Sequence, residues 1–185
     1  MELKGTAVRA IRDFVLSEFN KQYNRWIDSL SVGSKSIFEG IIDSSKWYPL
    51  NYGGVEPTRK IAEMFFGGDY HKGAWESGKY SAQKALSGIY KVFVKASAPG
   101  YIVQRASRIF ATYYRPCAMK VIERKENSVL LEISNMTESD IVIEYRIAGW
   151  INKALEISGA KKITIDLPQR ISNGDNITCL DIRWE

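Results

Sequence analysis

The first two thirds of the chain carry apolar residues three or four positions apart, the spacing of an amphipathic helix. Thr6 is the expected N-cap of the first helix. Its predicted apolar stripe consists of Val8, Ile11, Phe14, Val15 and Phe19. Similar spacing predicts helices over residues 23–30, 34–42 and 56–66. Residues 47–54, WYPLNYGG, break the pattern, because a proline and a pair of glycines favour a turn.

The longest predicted helix begins at His71. One side of it carries Trp75, Gly78, Ala82, Ala85, Ile89 and Phe93. Small residues in such a stripe indicate either a neighbouring helix at close approach or a cavity, and the sequence leaves both open. A further helix is predicted from Pro99 to the Arg115-Pro116 pair. Its apolar positions are Ile102, Ala106, Ile109, Phe110 and Tyr113.

At Cys117 the helical spacing of apolar residues gives way to a pattern typical of strands. Residues 117–134 read as two strands joined by a polar turn, a predicted hairpin. Residues 137–140, TESD, match a capping box, and the helix after them ends at Gly159. Two strands follow, because KKITIDL and ITCLDIRW alternate between apolar and polar residues. The predicted fold class is therefore α+β, with N-terminal helices packed on a four-stranded, mainly antiparallel sheet in the order β-β-α-β-β.

Composition supports one domain over residues 1–185, with 45% hydrophobic and 25% charged residues. The net charge of +5 is scattered along the chain, so a nucleic-acid partner is not expected. No signal peptide or membrane-length apolar stretch is apparent in the sequence, and Cys117 and Cys179 form no CxxC pair. These features predict a cytoplasmic protein with no membrane span and with free thiols.

Sequence motifs for catalysis are missing. A single histidine limits any scheme that relies on imidazole, and the sequence contains neither a G-x-S-x-G elbow nor a phosphate-binding glycine loop. Two separate cysteines with one histidine fall short of a structural zinc site. We therefore expect a protein that is not an enzyme and has no metal site.

Several segments carry a family resemblance: KGTAVRAIRDFV, WYPL, AWESGKYSAQKALSGIYK, GWINKALEISGAKKITI and CLDIRW. On these the chain resembles a bacterial family of unknown function that is common in myxobacteria. More distantly it resembles the superfamily of haem nitric-oxide sensors, 4-vinyl reductase domains and the Golgi transport subunits of the TRAPP complex. The resemblance implies helices on a four-stranded antiparallel sheet, frequent dimers, and a cavity that holds haem, a lipid chain or nothing.

Haem is the least favoured of these ligands. The haem sensors in this superfamily use a histidine on a helix and a Tyr-x-Ser-x-Arg motif. The nearest string here, YIVQR, has Tyr101 and Arg105 but places Val103 at the serine position. A histidine four residues before a tryptophan also favours packing within a helix. We therefore predict no cofactor.

The positive hypothesis is a pocket for an apolar or anionic small molecule, between the helix of residues 101–115 and the helix that carries Trp75. The candidate ligand-binding residues are His71, Trp75, Tyr101, Arg105 and Tyr113, with Arg105 meeting the ligand's charge. The predicted function is non-catalytic sensing of a small molecule or lipid in bacterial signalling, by a homodimer. The alternatives are a protein-interaction scaffold of the Golgi-subunit type and a haem-based gas sensor.

Overall fold

Helices make up most of the N-terminal half. The computed structural model describes residues 1–87, 99–137 and 139–185, without the side chains of residues 106–108. The helices are α1 Gly5–Glu18, α2 Tyr23–Asp28, α3 Val32–Glu39, α4 Glu56–Phe65, α5 Tyr70–Ala85, α6 Pro99–Phe110 and α7 Ile141–Ile157. The predicted stripe of α1 is confirmed at Val8, Ile11, Phe14 and Val15, which are buried, whereas Phe19 lies just past the helix and is half-buried. The predicted positions Ile89 and Phe93 lie outside the described residues.

The four-stranded sheet is confirmed. Its strands are β4 Ala118–Arg124, β5 Ser128–Ser134, β6 Thr164–Gln169 and β7 Thr178–Arg183. They pair antiparallel in the order β4-β5-β7-β6, with α7 between β5 and β6 in the chain. Alternate residues of β5 face the core, which is the period-2 burial of a sheet covered on one side, and in β7 Leu180 and Ile182 are fully buried. The predicted β-β-α-β-β order is therefore correct.

A second, small sheet was not predicted. It consists of β1 Glu2–Lys4, flanked by β2 Trp47–Pro49 and β3 Tyr114–Arg115, with all pairs antiparallel. The prediction of a turn over residues 47–54 was wrong, because this segment is a strand followed by a π-helical turn, Asn51–Val55. Pro49 fits an edge strand, where its missing N–H removes no hydrogen bond from the middle of the sheet.

Two predicted helix caps were also misplaced. Helix α1 follows β1 directly, so its N-cap is Lys4 instead of Thr6, and no side chain caps it. Within the TESD segment the cap of α7 is Asp140, whose carboxylate accepts a hydrogen bond from the backbone N–H of Val142 at 3.0 Å. Arg59 of α4 donates to the same carboxylate from two of its nitrogens, so Asp140 also joins α7 to α4.

The small residues of α5 serve close helix packing. A Cβ added at Gly78 would lie 2.9 Å from the carbonyl carbon of Arg146 in α7, and closer still to its oxygen. A Cβ at Gly149 of α7 would meet the Trp75 carbonyl in the same way. Two backbones approach this closely only where both helices lack side chains at the contact. The sequence left open whether the stripe faces a closely packed helix or a cavity, and at Gly78 it faces a closely packed helix.

Candidate functional site

An interior cavity of about 40 Å³ lies where α1, α5 and α7 meet the end of α6 and the start of β4. Its walls are mostly apolar, and its polar lining side chains are Ser81, Tyr113, Tyr114 and Arg146. Ile109 lines the cavity and is also 41% exposed, so the cavity approaches the surface beside the end of α6. A space of this size holds about three water molecules.

Arg146 of α7 places a charge in this interior, since the residue is only 3% exposed. Its guanidinium donates three hydrogen bonds, from Nε to Ser77 Oγ at 3.4 Å, from Nη1 to Tyr114 Oη at 3.5 Å and from Nη2 to the carbonyl oxygen of Ala7 at 3.2 Å. All three are longer than the usual 2.9–3.0 Å. A guanidinium has five N–H donors. Two donors therefore have no partner among the described residues.

No carboxylate pairs with Arg146 in the part of the chain that the structure describes. Glu144 lies on the same helix but two residues away, a rotation of about 200°, so it faces another direction. Glu144 accepts hydrogen bonds from Ser172 and Thr178 instead. Among the described residues, Arg146 is thus a buried cation held by neutral groups.

Two hydroxyl groups beside Arg146 have donor capacity left. Burial raises the pKa of Tyr114, and the nearby Arg146 charge only partly opposes this, so Tyr114 stays protonated at neutral pH. Its oxygen accepts from Arg146, and no acceptor for its proton is found within the described residues. Ser81, 6% exposed, likewise has no hydrogen-bond partner for its hydroxyl among them. The cavity therefore presents donors and one positive charge.

The residues predicted from sequence do not converge on this cavity. Only Tyr113 lines it. His71 is exposed at the start of α5, with its ring 5.3 Å from that of Trp75 and 4.3 Å from that of Tyr145. Tyr101 is exposed and Arg105 is exposed on α6. The ligand-binding roles assigned to these residues stay predictions, while the buried arginine is Arg146.

Sequence reasoning missed Arg146, although a signal was present. The predicted apolar stripe of α7 includes Ile143 and Trp150, and Arg146 follows the first by three positions and precedes the second by four. A cation inside the 3.6-residue repeat of a helix that is apolar on most sides is predicted to be buried.

A haem, which the resemblance raises, does not fit the described residues of this cavity. Haem iron takes its axial ligand from histidine, a cysteine thiolate, methionine or tyrosine. Met119, Tyr113 and Tyr114 line the cavity, but its volume of about 40 Å³ has no room for a porphyrin, since pockets for ligands of drug size measure about 300–1,000 Å³. The single histidine lies outside the cavity, and burial raises the pKa of Cys117 to about 12, which holds it as a thiol. No group of three or more His, Cys, Asp or Glu side chains that could hold a metal occurs in the described part of the chain. Arg146 and the half-buried Trp150 fill the space around the cavity.

Solved structures of similar fold align with this chain over nearly its whole length. An H-NOX protein from Shewanella oneidensis in the Fe(II)NO ligation state aligns with a TM-score of 0.75 and 14% identity, over 99% of both chains. The Fe(II) unliganded H-NOX protein from K. algicida aligns with a TM-score of 0.72 and 12% identity, over 99% of this chain and 97% of that one. At these identities the likeness establishes an H-NOX-like α+β fold.

No family model and no curated protein matches the sequence. Membership of the myxobacterial family therefore stays a prediction, whereas the resemblance to the haem nitric-oxide sensors is confirmed at the level of fold. In the described residues, no helix is long and apolar enough to cross a membrane.

Proposed function

We propose that this protein is a non-catalytic sensing domain that binds a small molecule in the cavity beside Arg146. The observation that carries this function is a buried guanidinium with no carboxylate partner among the described residues, at a small cavity beside two hydroxyls that find no acceptor there. A charge in the interior lowers stability unless a partner compensates it, so such a residue marks a candidate binding site. The H-NOX-like fold supports a sensing function, because one H-NOX protein of similar fold is known in an Fe(II)NO ligation state.

The proposed sensing domain works without haem. The neighbours of similar fold are described with Fe(II), but a cavity of about 40 Å³ has no room for a haem, and its polar lining includes a guanidinium and hydroxyls with N–H and O–H groups to donate. Such donors suit a ligand that accepts hydrogen bonds. Residues 1–185 act as a single domain in this proposal, supported by full-length alignment with one H-NOX chain. A cytoplasmic location and a homodimer stay predictions, and light scattering tests the dimer.

A protein-interaction scaffold is the second candidate. It is favoured by the Gly78 and Gly149 contacts, where the small-residue stripe closes against α7 instead of opening into a cavity. A scaffold has no need of an interior ligand, so the two candidates differ in whether small molecules stabilise the purified chain.

A thermal-unfolding screen separates these functions. The purified protein is heated with a panel of neutral and anionic molecules of three to five non-hydrogen atoms, and with haem. A sensing domain predicts a saturable rise in Tm with at least one small molecule. A 1:1 haem complex with an intense visible band would establish the haem sensor instead. Unchanged Tm across the whole panel would contradict sensing and favour the scaffold.

A further inference from the structure

We propose that the ligand of this cavity is a small planar monoanion of the carboxylate or nitrate type, bound by Arg146, an inference that rests on the sensing function proposed above. Arginine keeps its charge in proteins, so burial cannot neutralise Arg146 by loss of a proton. Its three bonded partners, Ser77, Tyr114 and Ala7, are all neutral. An anion would supply the missing negative charge.

The donors at the cavity match such an anion in number and kind. Two guanidinium N–H groups have no described partner, and planar anions accept two parallel bonds from arginine. The hydroxyls of Ser81 and Tyr114 add two donors that lack acceptors among the described residues. All four donors belong to side chains that line one cavity.

The dimensions of the cavity restrict the anion further. Room for about three waters admits three or four non-hydrogen atoms, which is the size of nitrite, nitrate, formate or acetate. A single arginine among apolar walls, which include Ile147 and Ile151, matches one negative charge. A dianion would bring a second charge with no second cation to meet it among the lining residues that the structure describes. Entry is beside the exposed Ile109.

The test compares Tm in sodium nitrate, sodium acetate and acetamide, with sodium gluconate keeping the ionic strength constant. Acetamide is the neutral analogue of acetate, and gluconate exceeds the cavity in size. We expect nitrate or acetate to raise the Tm of the wild type saturably, by about 3–5 °C at ten times Kd, and acetamide to leave it unchanged. Arg146→Met should abolish the rise. Arg25→Met, which removes an exposed arginine of α2 far from the cavity lining, should keep it.

Ser81→Ala provides a second variant that keeps the charge and the fold. It should weaken the binding of the anion about fivefold through loss of one hydrogen bond. An anion effect of equal size in Arg146→Met would overturn the assignment of the site to Arg146. If acetamide raised Tm as much as acetate did, the proposal that the ligand is an anion would be refuted, while the sensing function would stand. If no probe changed Tm in this experiment and no molecule did so in the wider screen, both the anion proposal and the sensing function would be refuted.

Discussion

Because α5 packs closely on α7, we expect Gly78→Ala to change stability in the direction opposite to the one that helix propensity predicts. Alanine is preferred over glycine inside a helix by about 1 kcal/mol, so Gly78→Ala in α5 would ordinarily stabilise. Here the added Cβ would lie 2.9 Å from the carbonyl carbon of Arg146 and 3.0 Å from the Trp150 nitrogen, both backbone atoms. Ordinary contact begins at 3.4 Å. Backbone atoms in a packed helix do not rotate away, so the helices must separate.

Overpacking of a core typically costs about 1–3 kcal/mol, and a contact between two backbones belongs at the upper end of that range. We expect Gly78→Ala to lower the free energy of unfolding by about 3 kcal/mol, which is a fall in Tm of about 6–12 °C for a chain of this size. Thermal unfolding followed by circular dichroism measures it. Gly149→Ala should behave similarly, and the double variant should lose less than the sum, because both methyl groups separate the same pair of helices.

Gly100→Ala is the matched control, because it adds the same methyl group to a helix. Its Cβ would lie 2.8 Å from the Nε of Arg124, the far end of an exposed and flexible side chain that can move aside. We expect a change in Tm of less than about 3 °C. If Gly78→Ala matched this control or exceeded the wild type in stability, the close packing of α5 on α7 would be refuted.

Three other predictions concern stability and thiol chemistry. Asp140→Ala should cost about 1–2 kcal/mol in urea unfolding through loss of the α7 cap, and Asp140→Asn, which keeps the cap, clearly less; equal losses would show that the Arg59 pairing dominates. Glu144→Gln should lower stability by about 1–3 kcal/mol, because the carboxylate accepts buried hydrogen bonds from Ser172 and Thr178; an unchanged urea midpoint would contradict this. Burial raises the pKa of Cys117 to about 12, so at pH 8 the native thiol should react with a disulfide reagent only on unfolding; rapid native labelling of a Cys179→Ala variant would refute it.

The pH dependence of folding follows from the same thiol. The folded-state pKa of Cys117 lies above its ordinary value of 9.0, so folding favours the protonated form. The contribution of the Cys117 thiol to the free energy of unfolding is fully present below pH 9 and is lost as the pH rises toward about 12.

The long elements of the fold were predictable because their periods repeat over several turns or residue pairs. The alternation along β5 and the apolar stripe of α7 each span enough positions to reveal which face is buried. Strands β1 and β2 span three residues each, too few for an alternating pattern to be recognised. Only pairing between distant parts of the chain makes them strands.

The candidate site was harder to predict because burial of an arginine depends on which helix is central. Aromatic neighbours suggested Arg105, but α6 lies at the periphery and leaves this side chain exposed. Helix α7 is buried on most of its circumference, since α5 and the sheet cover it. That arrangement places Arg146 in the interior, and it depends on the glycine contacts with α5, which the sequence left open.

A crystal structure of the protein grown with nitrate tests the central claim most directly. The account predicts a planar anion in the interior cavity, with its oxygens within hydrogen-bond distance of the Arg146 guanidinium and the Ser81 hydroxyl. An Arg146 side chain paired with a carboxylate of the chain itself, with no anion in the cavity, would contradict it.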